Sequence, residues 1–425
     1  RRVARGAARA PSRVFAPLAL RGVVLKNRLV KAATYEAGCA HDGVPRRELV
    51  DFHGAVAEGN AALTTIAYAS VSRDGRSFAT QLLVNERAAP RLAELAARVA
   101  AHGGHAAIQL THAGYFADRA VVGTRQISAS CVFNPAGMDW PRRMGEAEMA
   151  RVVADFCAAA RIAQHCGISA VQLHLGHGYL LAQYLSPFTN RRRDRYGGSI
   201  TNRLRFPLRV VRAVRAAIGD AMPLIVKMNL TDGFRGGITL EDAAKVAQAV
   251  ERCGCDLIVP SGGWISRNGF YMLRGAVPLW KMQRVLKCGV KRVALLLFGK
   301  LFVPTLPWRP SFFARDAKRL LPHLRTARLC LIGGVSSLDE ICDAVDRDGF
   351  ACVAMARAFL REPDFARRME REARRRELAL AHADPSAAGG GARGADAAPS
   401  CCSHCNECIV GSTMAETFLQ CVELF

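Results

Sequence analysis

The segment HLGHGY sets two histidines three residues apart, His174 and His177, with Tyr179 two residues further on. Two imidazoles at this spacing, followed by a tyrosine at a strand end, could bind a metal or polarise a carbonyl. No carboxylate stands nearby in sequence to complete a metal triad. A lone histidine is more often a satisfied core group. Two histidines and a tyrosine at a strand end favour a functional reading. Further groups fall at the ends of other apolar runs: Gln109 in AAIQL, Lys227 in LIVKMN, Gly333 and Gly334 after LCLI, and Arg357 after ACVAMA. Paired glycines let a backbone come close to a ligand, and an arginine can hold phosphate oxygens in a fork, so a phosphate-bearing ligand is expected there. The plainer alternative is that the glycines only make the turn. Near the C-terminus Cys402, Cys405, Cys408 and Cys421 could supply four thiolates to zinc, with His404 as a substitute ligand. Thiols without a metal are equally compatible with that spacing.

These residues must be positioned by strands. Eight short apolar runs stand out: Leu29–Ala33, Ala62–Ser70, His105–Leu110, Ser169–Leu175, Pro223–Met228, Asp256–Pro260, Arg328–Ile332 and Ala351–Ala356. Several are continuous rather than alternating, as a parallel sheet covered by helices requires. Helical spacing lies between them at Pro90–His102, Glu146–Cys166, Ile200–Ile218, Leu240–Cys253 and Leu338–Asp348, with Ser199, Thr239 and Ser337 placed to cap the last three. Eight such βα units predict an α/β (β/α)8 TIM barrel, whose active site sits at the C-terminal ends of the strands. An open doubly wound sheet would carry a G-x-G-x-x-G after its first strand, and ATYEAGCAHDG lacks it.

Half the residues are hydrophobic, enough for a sizeable core. The net charge is +23, and arginines spread along the whole chain supply most of it. No basic stretch is interleaved with aromatics, so specific nucleic-acid binding is not expected. Ten of the 15 cysteines are scattered through core-like segments, which reads as reduced thiols in an intracellular, cytoplasmic protein. Residues 1–13 form a basic tail that could be the end of an organelle transit peptide. The barrel is expected over 14–369, a flexible linker over 370–400 and a Cys-rich tail over 401–425. No stretch has the length of a membrane span. The nearest, Val293–Trp308, is interrupted by Lys300, Pro304 and Pro307 and reads as a hairpin, with interfacial membrane contact as the alternative. It belongs to an excursion over 265–315 between strands six and seven.

The stretch VQLHLGHGYLLAQYLSPFTNRRRDRYGGSITNRLRF resembles the central signature of the Old Yellow Enzyme family. KNRLVKAA, AAIQLTHAG, LIGGV and VAMARAF add to the resemblance, which covers roughly residues 13–370. It implies FMN as cofactor and NAD(P)H as reductant, with reduction of the C=C bond of an α,β-unsaturated carbonyl compound. By the same resemblance, His174 and His177 bind the substrate oxygen and Tyr179 is the proton donor. Ala33, Thr34, Gln109, His174 and Lys227 lie along the flavin, and Gly333, Gly334 and Arg357 hold its phosphate. Tyr35 stands where a small Thr or Cys usually lies beside the flavin, and Lys227 replaces a frequent Arg. The Cys402–Cys421 spacing is similar, not identical, to the [4Fe–4S] ligand set of the larger 2,4-dienoyl-CoA reductases. The competing readings are a flavin-free barrel lyase or isomerase acting on a phosphorylated substrate, and a non-catalytic flavin-binding scaffold.

Overall fold

The structure is a computed structural model that describes residues 12–134, 137–286, 289–303, 305–382, 399–414, 418 and 421. In chain order the strands are β1 (Leu18–Leu20), β2 (Val23–Leu25), β3 (Leu29–Tyr35), β4 (Leu63–Ser70), β5 (His105–Thr111), β6 (Ile127–Ser128), β7 (Arg142–Arg143), β8 (Ala170–Leu175), β9 (Leu224–Asn229), β10 (Leu257–Ser261), β11 (Arg328–Ile332) and β12 (Cys352–Met355). Eight of them close into a barrel in the order β10-β11-β12-β3-β4-β5-β8-β9. Every neighbouring pair around it is parallel. The eight apolar runs are these eight strands, shifted by a residue or two at their ends.

The outer faces of the strands carry Ile108, Val171, Leu173, Val226 and Ile258 against the surrounding helices. The inner faces carry smaller residues, among them Ala32, Ala62, Ala107, Ala170, Cys330 and Cys352. The antiparallel β1–β2 hairpin presses Leu18 and Leu25 onto that inner cluster and plugs the N-terminal end of the barrel. The cavity lies at the opposite rim. The three expected caps form: Ser199 accepts from Asn202 N at 3.3 Å, Thr239 from Asp242 N at 3.2 Å, and Ser337 from Glu340 N at 3.3 Å. Each satisfies a first-turn N–H that the helix leaves unpaired.

Two sequence expectations need correction. The hairpin expected within Val293–Trp308 is instead a helix, Gly289–Phe302. Its leucine-rich interior favours helix, and Pro304 and Pro307 follow the helix rather than interrupt it. The linker expected over 370–400 starts later, because Phe365–Ala381 is one helix. Its charged residues pair along the surface, Arg374 with Glu370 at 2.8 Å and Arg376 with Glu372 at 3.0 Å, and Arg376 also reaches Asp339 at 2.6 Å. Most of the basic tail and of the linker, residues 1–11 and 383–398, lies outside the described residues.

A buried ionic cluster braces β3 against the helix Arg47–Glu58. Lys31 and Glu36 pair in the interior, and Lys31 Nζ also donates to the Thr65 carbonyl at 3.1 Å. Glu36 accepts from Ala67 N at 3.1 Å, and His53 Nδ1 meets Thr64 Oγ1 at 2.6 Å. Burial raises the Glu36 carboxyl to about 7 despite its lysine partner.

Candidate active site

The C-terminal rim of the barrel opens into one cavity of about 500 Å³. That lies within the roughly 300–1,000 Å³ usual for ligand pockets. Ala33, Thr34, Gln109, His174, His177, Tyr179, Lys227, Gly333, Gly334 and Arg357 all line it, so every catalytic and flavin-site residue expected from the sequence converges on a single space.

β8 ends at Leu175, and the chain turns sharply through Gly176, His177 and Gly178. His177 takes a left-handed conformation, φ 59°. Asn229 holds that turn by accepting from His177 N at 3.0 Å. The His174 and His177 rings stand perpendicular with centroids 4.9 Å apart, and the Tyr179 ring lies 4.8 Å from His174. His174 Nδ1 accepts the Gly176 N–H at 3.2 Å, so in the neutral ring the proton sits on Nε2 and makes it a donor. His177 Nε2 meets Ser261 Oγ at 2.8 Å. Burial lowers both imidazoles well below the ordinary histidine range; His177 and Lys227 add to the effect on His174, and Lys227 to that on His177. Both rings are neutral at pH 7. Burial moves the Tyr179 phenol the other way, well above its ordinary value, with the Tyr68 hydroxyl opposing the shift. Tyr179 therefore keeps its proton.

Lys227 projects from β9 at the same register as His174 on β8. Its ammonium is buried, and the hydrogen bond it makes among the described residues is to the Ala33 carbonyl at 3.3 Å. No ion pair to it appears among those residues, so a buried cation faces the cavity without a counter-charge. Burial, reinforced by Lys31, brings its pKa down to about 8. Gln109 donates to Gln172 Oε1 at 2.6 Å, leaving its own oxygen and its second N–H available to a ligand edge.

Gly333 and Gly334 have φ 99° and 83°, which side chains rarely adopt. A Cβ at Gly333 would lie 2.5 Å from Phe313 Cδ2, and one at Gly334 2.6 Å from the Arg309 carbonyl. Glycine is required at both positions by backbone shape as well as by close packing. Arg357 opens the short helix Arg357–Arg361. It donates to the Leu273 carbonyl at 2.6 Å, the Arg274 carbonyl at 3.3 Å and Asn406 Oδ1 at 2.8 Å.

The Cys-rich tail folds back onto the rim. Asn406 Nδ2 donates to the Arg274 and Ala276 carbonyls, both at 2.8 Å, and Ser400 N to the Ser336 carbonyl at 2.8 Å. Cys402 and His404 reach the cavity wall, where the His404 ring stacks on Trp308 at 4.2 Å. The metal expected at Cys402, Cys405, Cys408 and Cys421 is not shown by the family or its relatives. Among the described residues no three His, Cys, Asp or Glu side chains are arranged to hold a metal ion. The chain turns at His404 and Asn406, both at φ 60°, and then enters the helix Glu407–Met414, while Cys421 lies beside Arg361, which donates to its Sγ at 3.8 Å.

Sequence reading passed over part of the wall. Tyr68, Phe78 and Phe116 join Tyr35 and Tyr179 in an aromatic flank, with Tyr35 stacked on Phe78 at 4.7 Å and bonded to Thr80 Oγ1 at 2.7 Å. Tyr68 sits near the end of the second apolar run, where the barrel rule would have flagged it. Phe270, Leu273, Trp308 and Phe312 come from the excursion, which periodicity could not place.

A closed eightfold barrel with neutral donors, a buried lone cation and a glycine pair at one rim is the frame of a cofactor-dependent oxidoreductase. The comparisons give the family. Residues 13–265 match the model of the NADH:flavin oxidoreductase / NADH oxidase family, and the chain belongs to that family, the Old Yellow Enzyme family of the sequence resemblance. It is an NAD(P)H:flavin oxidoreductase. The chain is 38% identical over 364 residues to the 4,4'-dithiodibutanoate disulfide reductase of Rhodococcus erythropolis, covering 84% of this chain and 88% of that one. It superposes on 2-naphthoyl-CoA reductase with a TM-score of 0.77 at 20% identity, covering 96% of this chain and 56% of that one. On the old yellow enzyme homologue from Zymomonas mobilis the TM-score is 0.68 at 19% identity, covering 85% and 93%. At those identities the superpositions carry the fold alone.

The family implies FMN, and the cavity fits it. The fit rests on the Lys227 ammonium, which has no ion pair among the described residues, and on the amide positions that Gln109 keeps for a ligand at the cavity wall.

Proposed function

We propose that the chain uses NAD(P)H and bound FMN to reduce the C=C bond of an α,β-unsaturated carbonyl compound. The observation that carries this reading is the convergence of two neutral imidazoles, a protonated phenol and a buried ammonium on one cavity. FMN supplies the hydride chemistry when bound. Lys227 and Gln109 would hold its ring and Ala33 and Thr34 would flank it, with Gly333, Gly334 and Arg357 at its phosphate.

The protein's own part is binding, orientation and proton delivery. His174 Nε2–H and the His177 ring donate to the substrate oxygen. They stabilise negative charge there as it develops, and being neutral they lose no proton. Tyr179, whose ring lies 4.8 Å from that of His174, would deliver the proton to Cα of the substrate. Its raised pKa keeps the proton in place until a strongly basic centre forms. The aromatic flank of Tyr35, Tyr68, Phe78 and Phe116 excludes water and offers an apolar wall to the substrate.

A disulfide is the second substrate reading, favoured by the similarity to the disulfide reductase over 84% of the chain. Tyr179 would then protonate the departing thiolate. Parallel turnover assays with cyclohexenone and 4,4'-dithiodibutanoate, both under NADPH and NADH, separate the two. Purified protein should be yellow and release FMN, not FAD, on denaturation. Colourless protein that takes up no added FMN, or holoprotein inert toward every enone, would end the main reading.

A further inference from the structure

The excursion between β10 and β11 contains ten Lys and Arg and no Asp or Glu from residue 257 to residue 315. Within it the helix Gly289–Phe302 packs one side on the helix Leu279–Val285, where Leu279 and Leu295 crowd against Gly299. Its other side carries Val293, Leu296 and Leu297, which are 55%, 67% and 66% exposed. Positions i, i+3 and i+4 make these a stripe, so the helix presents apolar residues to solvent. Arg292 is exposed beside the stripe, and the neighbouring Trp280 is 53% exposed with the Arg284 guanidinium 5.9 Å above its ring. An apolar ridge of this kind calls for a covering partner.

We propose that this face docks on an anionic lipid bilayer. The helix Gly289–Phe302 would lie in the headgroup plane, with Val293, Leu296, Leu297 and Trp280 at the acyl boundary and Arg284 and Arg292 at lipid phosphates. Charge selects this occupant. A second copy would bring the same cations face to face, on chains that each carry +23. A nucleic acid would match the cations but leave the Val and Leu side chains uncovered, since they offer no ring for base stacking. Among the described residues no helix is long and apolar enough to cross a membrane, so the contact is peripheral. Leu273, Met282 and Trp308 of the same excursion line the cavity, so docking brings the cavity to the lipid surface.

Co-sedimentation of the full chain with phosphatidylcholine vesicles, with and without phosphatidylglycerol, tests the proposal. The chain should pellet with the anionic vesicles, remain in solution with the neutral ones, and be released by high salt. Leu296→Asp combined with Leu297→Asp should weaken partition by about tenfold or more, with circular dichroism and thermal melting unchanged. Arg284→Glu with Arg292→Glu should act likewise through charge. Failure to pellet with anionic vesicles, or equal pelleting of wild type and the leucine variant, overturns the proposal. So does a dimer in analytical ultracentrifugation that the leucine variant abolishes while vesicles bind neither protein, because the stripe would then belong to a second copy.

Discussion

His174 and Lys227 are register partners on the adjacent parallel strands β8 and β9, so a neutral imidazole and a buried ammonium enter the cavity side by side. The ammonium biases the imidazole toward its uncharged form, and among the described residues no carboxylate pairs with the ammonium. An anionic ligand relieves that tension. Lys227, lowered to about 8, is charged below that pH and neutral above it. Affinity for FMN should therefore fall as pH rises through about 8, by up to roughly tenfold per unit. Lys227→Met should remove this pH dependence. The stability of the apoprotein should move oppositely: between about 8 and 10 the unfolded lysine binds more protons, so stability rises with pH. Fluorescence titration of FMN across this range checks the first point, and urea melts check the second.

Tyr179→Phe should leave reduction of the flavin by NAD(P)H nearly intact and slow enone turnover by roughly 10²–10⁴-fold, the usual loss of one general acid. Stopped-flow traces separate the half-reactions. Equal slowing of both would make Tyr179 a wall of the pocket rather than its acid. Replacing both His174 and His177 by Ala should instead weaken binding of phenolic ligands, whose anionic oxygen needs both donors.

Arg357→Ala removes three hydrogen bonds that tie the β12 end to the excursion and the tail. If the guanidinium also serves the FMN phosphate, retention of FMN through gel filtration should drop far more than the melting temperature of the apoprotein. Loss of stability without loss of flavin would assign Arg357 to tail anchoring alone.

Lys31→Met leaves Glu36 buried without its cation and should cost about 3–5 kcal/mol in chemical denaturation. The double variant Lys31→Met, Glu36→Gln should recover most of that loss, because no uncompensated charge remains. A single variant as stable as wild type would mean that the pair contributes nothing to holding β3.

Several parts of the molecule were legible without coordinates because they are local. Continuous apolar runs define barrel strands, Ser199, Thr239 and Ser337 define helix starts, and residues just past a strand end define the rim. That the ten expected rim residues share one cavity follows from barrel closure, which collects every strand's C-terminal end on one face. The helix Gly289–Phe302 was misread because lysine and proline next to an apolar run fit a hairpin as well as a helix that ends there. The linker was misread at 370–381 because composition hides the i,i+4 ion pairs that stabilise a charged helix.

The sequence by itself determined the barrel, its family and the set of residues at its mouth, since strand periodicity and the HLGHGY segment are properties of near neighbours. Only the tertiary structure decided the charge state of those residues. Burial sets the neutral imidazoles, the retained Tyr179 proton and the weakened Lys227, and burial depends on what distant segments cover them. The same holds for the tail. The spacing of its four cysteines is local, whereas the docking of that segment on the rim through Asn406 and Arg357 is decided by contacts with distant residues.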